Sequence, residues 1–267
     1  MTDLTAAWDR LLQAAAGADE RRIVSLFDAE PERMARLCVT AAGLELDLSK
    51  QPWSLDDLDA ALALAKAADV EAARGRLFAG EPVNASEGRA ALHMALRAPK
   101  GSDFRAQGEP VSAEVEATRA RMADFAQKVR SGALTGATGK PFRAVLHIGI
   151  GGSDFGPRLV WEALRPVASA IQVRFAANVD PAEMAFALAG LDPAETLVVV
   201  VSKTFTTQET MTNAQTARAW LRAALGPAGD AHLVAVSTAL DRVEAFGVPA
   251  DQVFGFRDWV GGRYSVW

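Results

Sequence analysis

A chain of 267 residues, half of them hydrophobic and 23% charged, has the balance of an ordinary globular protein, long enough for one or two domains and for a core that needs no disulfide or metal. Twenty-eight Lys and Arg against 33 Asp and Glu give a net charge of −5, which argues against broad nucleic-acid binding. The single Cys38 excludes an internal disulfide and zinc sites of Cys₄ or Cys₂His₂ type; the first residues carry no basic and apolar leader, and the longest apolar run, 197–201, is far too short for a membrane span, so a soluble, cytoplasmic protein is expected.

Through the first 130 residues the apolar spacing is helical and no strand signal is comparably strong. Trp8, Leu11, Leu12 and Ala15 share one helix face, and Leu55, Leu58, Leu62 and Ala65 another. Ser54 ahead of Asp56 and Asp57 supplies the second of these with an N-cap and an acidic first turn. Further helices are expected over 86–97 and 113–130. The glycine- and threonine-rich stretch 131–141 lacks periodicity and marks a boundary.

Beyond it the pattern changes. Short apolar runs at 144–150, 171–176, 196–201, 232–236 and 253–256 alternate with helical stretches at 157–164, 181–188 and 208–225. Strands alternating with helices imply a parallel sheet covered on both faces. The expected organisation is a helical N-terminal segment, 1–135, followed by an α/β domain, an αβα sandwich, at 136–267. In such sheets ligands bind at the carboxyl ends of the strands.

The first of those ends carries Gly149-Ile150-Gly151-Gly152-Ser153-Asp154-Phe155-Gly156-Pro157. Glycines allow close backbone approach, Pro157 fits a helix first turn, and a helix N-terminus attracts an anion. Nucleotide readings fail on side chains: Asp154 stands where a dinucleotide loop needs its third glycine, and Pro157-Arg158 replaces the Lys-Ser/Thr of a P-loop. Such a loop can also serve packing alone. The third strand ends in Ser202-Lys203-Thr204-Phe205-Thr206-Thr207-Gln208-Glu209-Thr210. Thr206 and Glu209 fit a capping box, which would account for some of these residues. One threonine suffices for a cap, and the surplus hydroxyls with backbone N–H groups suit a phosphate held without a metal.

A third cluster, Asp258-Trp259-Val260-Gly261-Gly262-Arg263-Tyr264-Ser265, sets Arg263 on a tight turn. There an arginine can stabilise an oxyanion or bind phosphate, or simply pair with Asp258; both readings stay open. Among possible acids and bases, His147 lies within a strand and reads as a core histidine. Arg89 and His93 read as a structural pair on one helix face, His232 as exposed or packed, and Glu209 as a cap. Glu87 lies outside the α/β unit.

These three loops, with Ser86-Glu87-Gly88-Arg89 through Leu92-His93 to Leu96-Arg97, closely resemble the glucose-6-phosphate isomerase family, from about Asn84 to Trp267. The family block carries threonine where Ser86 stands. The resemblance implies a first sugar-isomerase αβα domain, with the second absent from this chain, and metal- and cofactor-free interconversion of glucose 6-phosphate and fructose 6-phosphate. It implies that Ser202, Thr204 and Thr207 hold the phosphate with the backbone of Lys203, assisted by Ser153. Gly152 and Ser153 would line the sugar site with Thr210 nearby. Arg263, next to Gly262, would stabilise the enediolate. The family's glutamate base, ring-opening histidine and catalytic lysine lie beyond the third block. A fragment lacking the base, and a homodimer when full length, are therefore the expectations, with a small sugar phosphate as partner and neither nucleic acid nor membrane. The rival readings are a non-catalytic sugar-phosphate sensor of the same fold and an aminosugar-phosphate isomerase.

Overall fold

The computed structural model describes residues 3–165 and 169–262. The chain divides into two compact units, Met1–Arg76 and Leu77–Trp267. The first holds helices α1 (Asp3–Ala15), α2 (Ile23–Ala29) and α3 (Arg33–Leu37), a hairpin of β1 (Cys38–Ala41) and β2 (Leu44–Asp47), and helix α4 (Leu55–Ala67). Helix α5 (Val70–Phe78) spans the division.

The cap read at Ser54 is present and reciprocal. Its Oγ accepts from the Asp57 N–H at 3.2 Å, and the Asp57 carboxylate accepts from the Ser54 N–H at 2.9 Å. The buried Arg33 ties down the segment before it, donating to the carbonyls of Ser49, Gln51 and Trp53 at 2.7, 2.6 and 2.6 Å and to Glu30 at 2.7 Å. The hairpin was not expected. It closes through Ala42 and Gly43, both at positive φ (52° and 76°), the geometry of a two-residue hairpin turn. Its strands are nearly all exposed, so no inside–outside alternation announces them.

In the second unit, the helix expected over 86–97 survives only as a 3₁₀ turn, His93–Arg97. Residues 84–89 fold back instead, with an Asn84–Arg89 bridge and Gly88 at φ 65°, where a left-handed residue interrupts any helix. A two-residue pair, β3 (Arg105–Ala106) and β4 (Glu109–Pro110), precedes the long helix α6 (Ser112–Ser131). The strands of the main sheet begin after the 131–141 loop, but the compact unit begins earlier. Ala90, Leu92, Ala95, Val111 and Val115 form one cluster with Trp259 and Val260.

Five parallel strands follow: β5 (Ala144–Ile148), β6 (Gln172–Ala176), β7 (Thr196–Val201), β8 (Leu233–Ser237) and β9 (Val253–Gly255). They alternate with α7 (Gly152–Leu164), α8 (Pro181–Leu188), α9 (Gln208–Leu225) and α10 (Leu240–Phe246). The order across the sheet is β6-β5-β7-β8-β9, with Ile148 registered on Ala176 and on Val200. Successive residues serve opposite faces. Leu146, Ile148, Val198, Val200, Leu233 and Ala235 pack on Ala214, Ala217 and Leu221 of α9. Leu197, Val234 and Phe254 pack on Val129 and Phe142 on the other side. Both faces are covered, which is why the strands read as unbroken apolar runs. The order reverses between β5 and β7, and in this topology a ligand site falls at the carboxyl ends of those two strands.

Candidate functional site

The loop after β5 is shaped by two glycines. A Cβ on Gly149 would stand 2.6 Å from the Ser153 carbonyl oxygen, so the loop can fold back this closely only because residue 149 carries no side chain. Gly151, at φ 59° and ψ −122°, is the N-cap of α7, a conformation closed to side-chain-bearing residues. Gly152 and Ser153 thereby form the first turn of α7, whose N–H groups and dipole favour an anion. The expectation that Pro157 opens this helix is corrected: α7 starts at Gly152 and Pro157 lies beyond its first turn. Asp154, buried at the third position of α7, takes both arms of Arg158 at 2.9 Å each.

The loop after β7 is held from three sides. The Ser202 N–H donates to the Val236 carbonyl at 3.1 Å, and the Ser202 Oγ accepts from the Phe205 N–H at 3.1 Å. Three donors converge on the Lys203 carbonyl: the Thr238 N–H at 3.1 Å, the Thr238 hydroxyl at 2.7 Å and the Ser237 hydroxyl at 3.1 Å. Arg242 holds the Thr204 carbonyl at 2.8 Å. Phe205 sits at φ 52°, a strained backbone for an aromatic residue. Its ring is buried edge-on to Phe246, with centroids 5.7 Å apart, so packing maintains the turn. The Thr206–Glu209 capping box does not form. The N-cap of α9 is Thr207, without a side-chain cap, and the Thr206 hydroxyl donates to that of Thr204 at 2.7 Å. Thr210, in the first turn of α9, is 2% exposed, and its hydroxyl has no partner among the described residues. A polar group so placed costs about 1–3 kcal/mol when left unsatisfied.

The third loop is tied to both. The Lys203 Nζ donates to the carbonyls of Asp258 at 2.6 Å and Val260 at 2.9 Å. Arg89 reaches the Asp258 carbonyl at 3.2 Å, and the Trp259 carbonyl accepts from the Leu92 N–H at 3.1 Å. A Cβ on Gly262 would stand 3.8 Å from the Gly152 Cα, so this loop touches the first. Arg263 and its alternative pairing with Asp258 lie outside the described residues.

Gly152, Ser153, Lys203 and Gly262 line one cavity of about 360 Å³; Ser202, Thr204, Thr207 and Thr210 are not among its lining residues. Its other walls include Arg97, Glu114, Arg119, Arg257 and Trp259; of these, Arg97 and Trp259 lie in the sequence motifs, and none was given a role from sequence. Glu114 and Arg257 face each other at 2.6 Å across 143 positions of chain; no local motif reveals such a pair.

Two histidines are accounted for structurally. The His147 Nε2 lies 2.8 Å from the Ser153 carbonyl. His232 is fully buried, with Nδ1 2.9 Å from the Thr196 carbonyl and Nε2 accepting the Ala137 N–H at 2.8 Å. Burial holds both below the ordinary histidine range, the carbonyl contacts opposing it. Arg89 and His93 do not share a helix face; Arg89 pairs with Glu87 at 2.7 Å. Among the described residues, no group of three or more His, Cys, Asp or Glu is arranged to hold a metal, and no helix is long and apolar enough to cross a membrane.

Residues 47–267 match the family model for phosphoglucose isomerase. The glucose-6-phosphate isomerase of Caulobacter vibrioides (strain NA1000 / CB15N) is 66% identical over 268 residues, covering 100% of this chain and 50% of that protein. Glucose-6-phosphate isomerase 1 of Rhodococcus jostii is 50% identical, covering 98% of this chain and 48% of its own length. The crystal structure of a glucose-6-phosphate isomerase from Chlamydia trachomatis superposes with a TM-score of 0.75 at 25% identity, over 99% of this chain and 49% of that one. The chain thus spans about half the length of these relatives.

Proposed function

The chain belongs to the phosphoglucose isomerase family, and on that premise we propose that it supplies the phosphate-binding part of an aldose–ketose isomerase. The substrates are glucose 6-phosphate and fructose 6-phosphate, in glycolysis and gluconeogenesis in the cytoplasm. One observation carries this reading. The two loops at the switch point of the sheet present a first helical turn on one side and a hydroxyl-rich, strained turn on the other. The expected cap that would have explained those hydroxyls is absent. Small hydroxyls and helix N–H groups bind a phosphate dianion through charge-assisted hydrogen bonds without a cation.

In this reading Ser202, Thr204, Thr207 and the Lys203 backbone hold the phosphate, Ser153 assists, and Thr210 and Gly152 face the sugar. Arg263, next to Gly262 in the sequence, stabilises the enediolate electrostatically through its guanidinium. Proton transfer between C2 and C1 needs a general base. We place that base, the ring-opening histidine and the lysine in the half of the relatives' length that this chain does not span. The complete enzyme is a homodimer in this reading.

The test is a ³¹P and ¹H NMR time course of chain 1–267 with glucose 6-phosphate in D₂O. Binding without fructose 6-phosphate or C2 deuterium exchange is the expected result. Absence of binding overturns the phosphate site; turnover with exchange places a base within these residues and overturns the assignment of chemistry to the other half.

A further inference from the structure

The Lys203 side chain does not take part in the hydroxyl-rich turn to which its backbone belongs. Its ammonium has three protons, and two are committed to main-chain oxygens of the third loop, Asp258 at 2.6 Å and Val260 at 2.9 Å. The oxygen between them, that of Trp259, is taken by the Leu92 N–H. Three consecutive carbonyls are thus pinned, two of them by one side chain, and the side chains of Trp259 and Val260 are buried beneath. Gly261 and Gly262 are the next residues along, so the hold on 258–260 sets where Gly262 meets Gly152. We propose that the Lys203 ammonium is a positioning group rather than a phosphate ligand, fixing the third loop against the first through the carbonyls of Asp258 and Val260.

The charged surroundings fit a structural hold. Arg89 grips the same Asp258 oxygen at 3.2 Å and carries Glu87 on its other arm. Arg242, from α10, is engaged by the Thr204 carbonyl. To give a phosphate more than its one remaining proton, the ammonium would have to abandon a carbonyl in a partly desolvated place. Desolvation and the nearby Arg89 charge lower its pKa, against the opposing pull of Glu87 and Asp258. The inference rests on reading the site as one for a sugar phosphate, though the hold itself needs no ligand.

The experiment compares the 1–267 chain with Lys203→Met and Lys203→Arg, measuring amide hydrogen exchange at Leu92 and Val260 alongside inorganic phosphate affinity by ³¹P NMR. Lys203→Met is expected to speed exchange at both amides about tenfold or more, with Lys203→Arg restoring protection. Unchanged exchange at both amides in Lys203→Met would overturn the proposal, whatever the phosphate affinity. Should the methionine variant fail to fold, a ¹⁹F spectrum of wild-type chain labelled with fluorotryptophan still decides it. The Trp259 signal should stay in place when inorganic phosphate saturates the chain, because the ammonium remains on its two carbonyls, and a signal displaced on phosphate binding would overturn it. A wild-type chain that binds neither inorganic phosphate nor glucose 6-phosphate sinks the sugar-phosphate reading, while the exchange measurement continues to test the hold.

Discussion

The His147 Nε2–H donates to the Ser153 carbonyl at 2.8 Å, the one oxygen of the first turn of α7 that Pro157 cannot serve. A proline four residues on has no N–H to return, and a buried carbonyl without a donor is costly. The strand's histidine fills that role and so locks the first loop to β5. Because the carbonyl only accepts, the proton must sit on Nε2.

His232 requires the opposite tautomer, with Nδ1–H given to the Thr196 carbonyl and Nε2 accepting from Ala137. Long-range ¹H–¹⁵N spectra should therefore show two neutral rings of opposite tautomer at neutral pH, with both titrating below the unperturbed value of about 6.5. Both folded pKa values are lowered, so the unfolded chain takes up protons first on acidification. Stability present at neutral pH should decline as pH falls through about 6.5, most simply seen in urea midpoints. Matching tautomers, or rings that titrate normally, would contradict the assignment.

Gly149→Ala should destabilise the second unit by about 1–3 kcal/mol, because the new methyl meets backbone that cannot swing aside. The contact is the Ser153 carbonyl, at 2.6 Å from the ideal Cβ, so the first turn of α7 must move with it. Urea melts give the stability. Phosphate titration should show weaker binding in the same variant, and a neutral result on both would refute the close-packed loop.

Thr204→Ala should weaken binding of glucose 6-phosphate by about ten- to a hundredfold, the value of one hydrogen bond to a charged acceptor, at about 1.5–3 kcal/mol. The Thr204 hydroxyl is exposed and, among the described residues, bonded only to that of Thr206, so the urea midpoint should hardly change. Ser202→Ala added to it should deepen the loss. It also frees the Phe205 N–H, so this variant should lose stability as well. Unchanged affinity in the double variant, measured by ³¹P NMR, would remove the phosphate role from this turn.

Asp230 accepts from Nε and Nη2 of Arg218 (3.0 and 2.6 Å) and from Nε and Nη2 of Arg222 (2.8 and 2.5 Å). Those bonds hold its carboxyl far below the usual range, the Arg218 bond contributing most. A depressed carboxylate pKa stabilises the fold above the unfolded value of about 3.9 and is lost as pH falls below it. Asp230→Asn should lower the urea midpoint at pH 7 and flatten the acid limb below about pH 4; an acid limb identical to wild type would refute the linkage.

Much of the second unit is legible residue by residue. Helices 181–188 and 208–225 and strand 196–201 fall where periodicity and β-branching put them, because side-chain repeat and backbone preference are local properties. The loops after β5 and β7 are legible for the same reason, their glycines and hydroxyls being adjacent in the chain. Local reading fails where another element competes. Pro157 reads as a helix opener until His147 relieves the carbonyl it strands, and Thr206 and Glu209 read as a capping pair until Thr204 takes the hydroxyl.

The order of the strands, and with it the pairing of the two loops across the switch point, emerges only when the sheet is assembled. So does the wall contributed by α6 to the cavity. The destination of the Lys203 ammonium is the clearest case. Composition and spacing place a lysine among phosphate-binding hydroxyls, yet its charge is spent on carbonyls 55 and 57 residues away. Backbone conformation and the character of a loop are set by neighbours in sequence. The partner of a flexible, charged side chain is set by which oxygens the tertiary fold leaves within reach and shields from water.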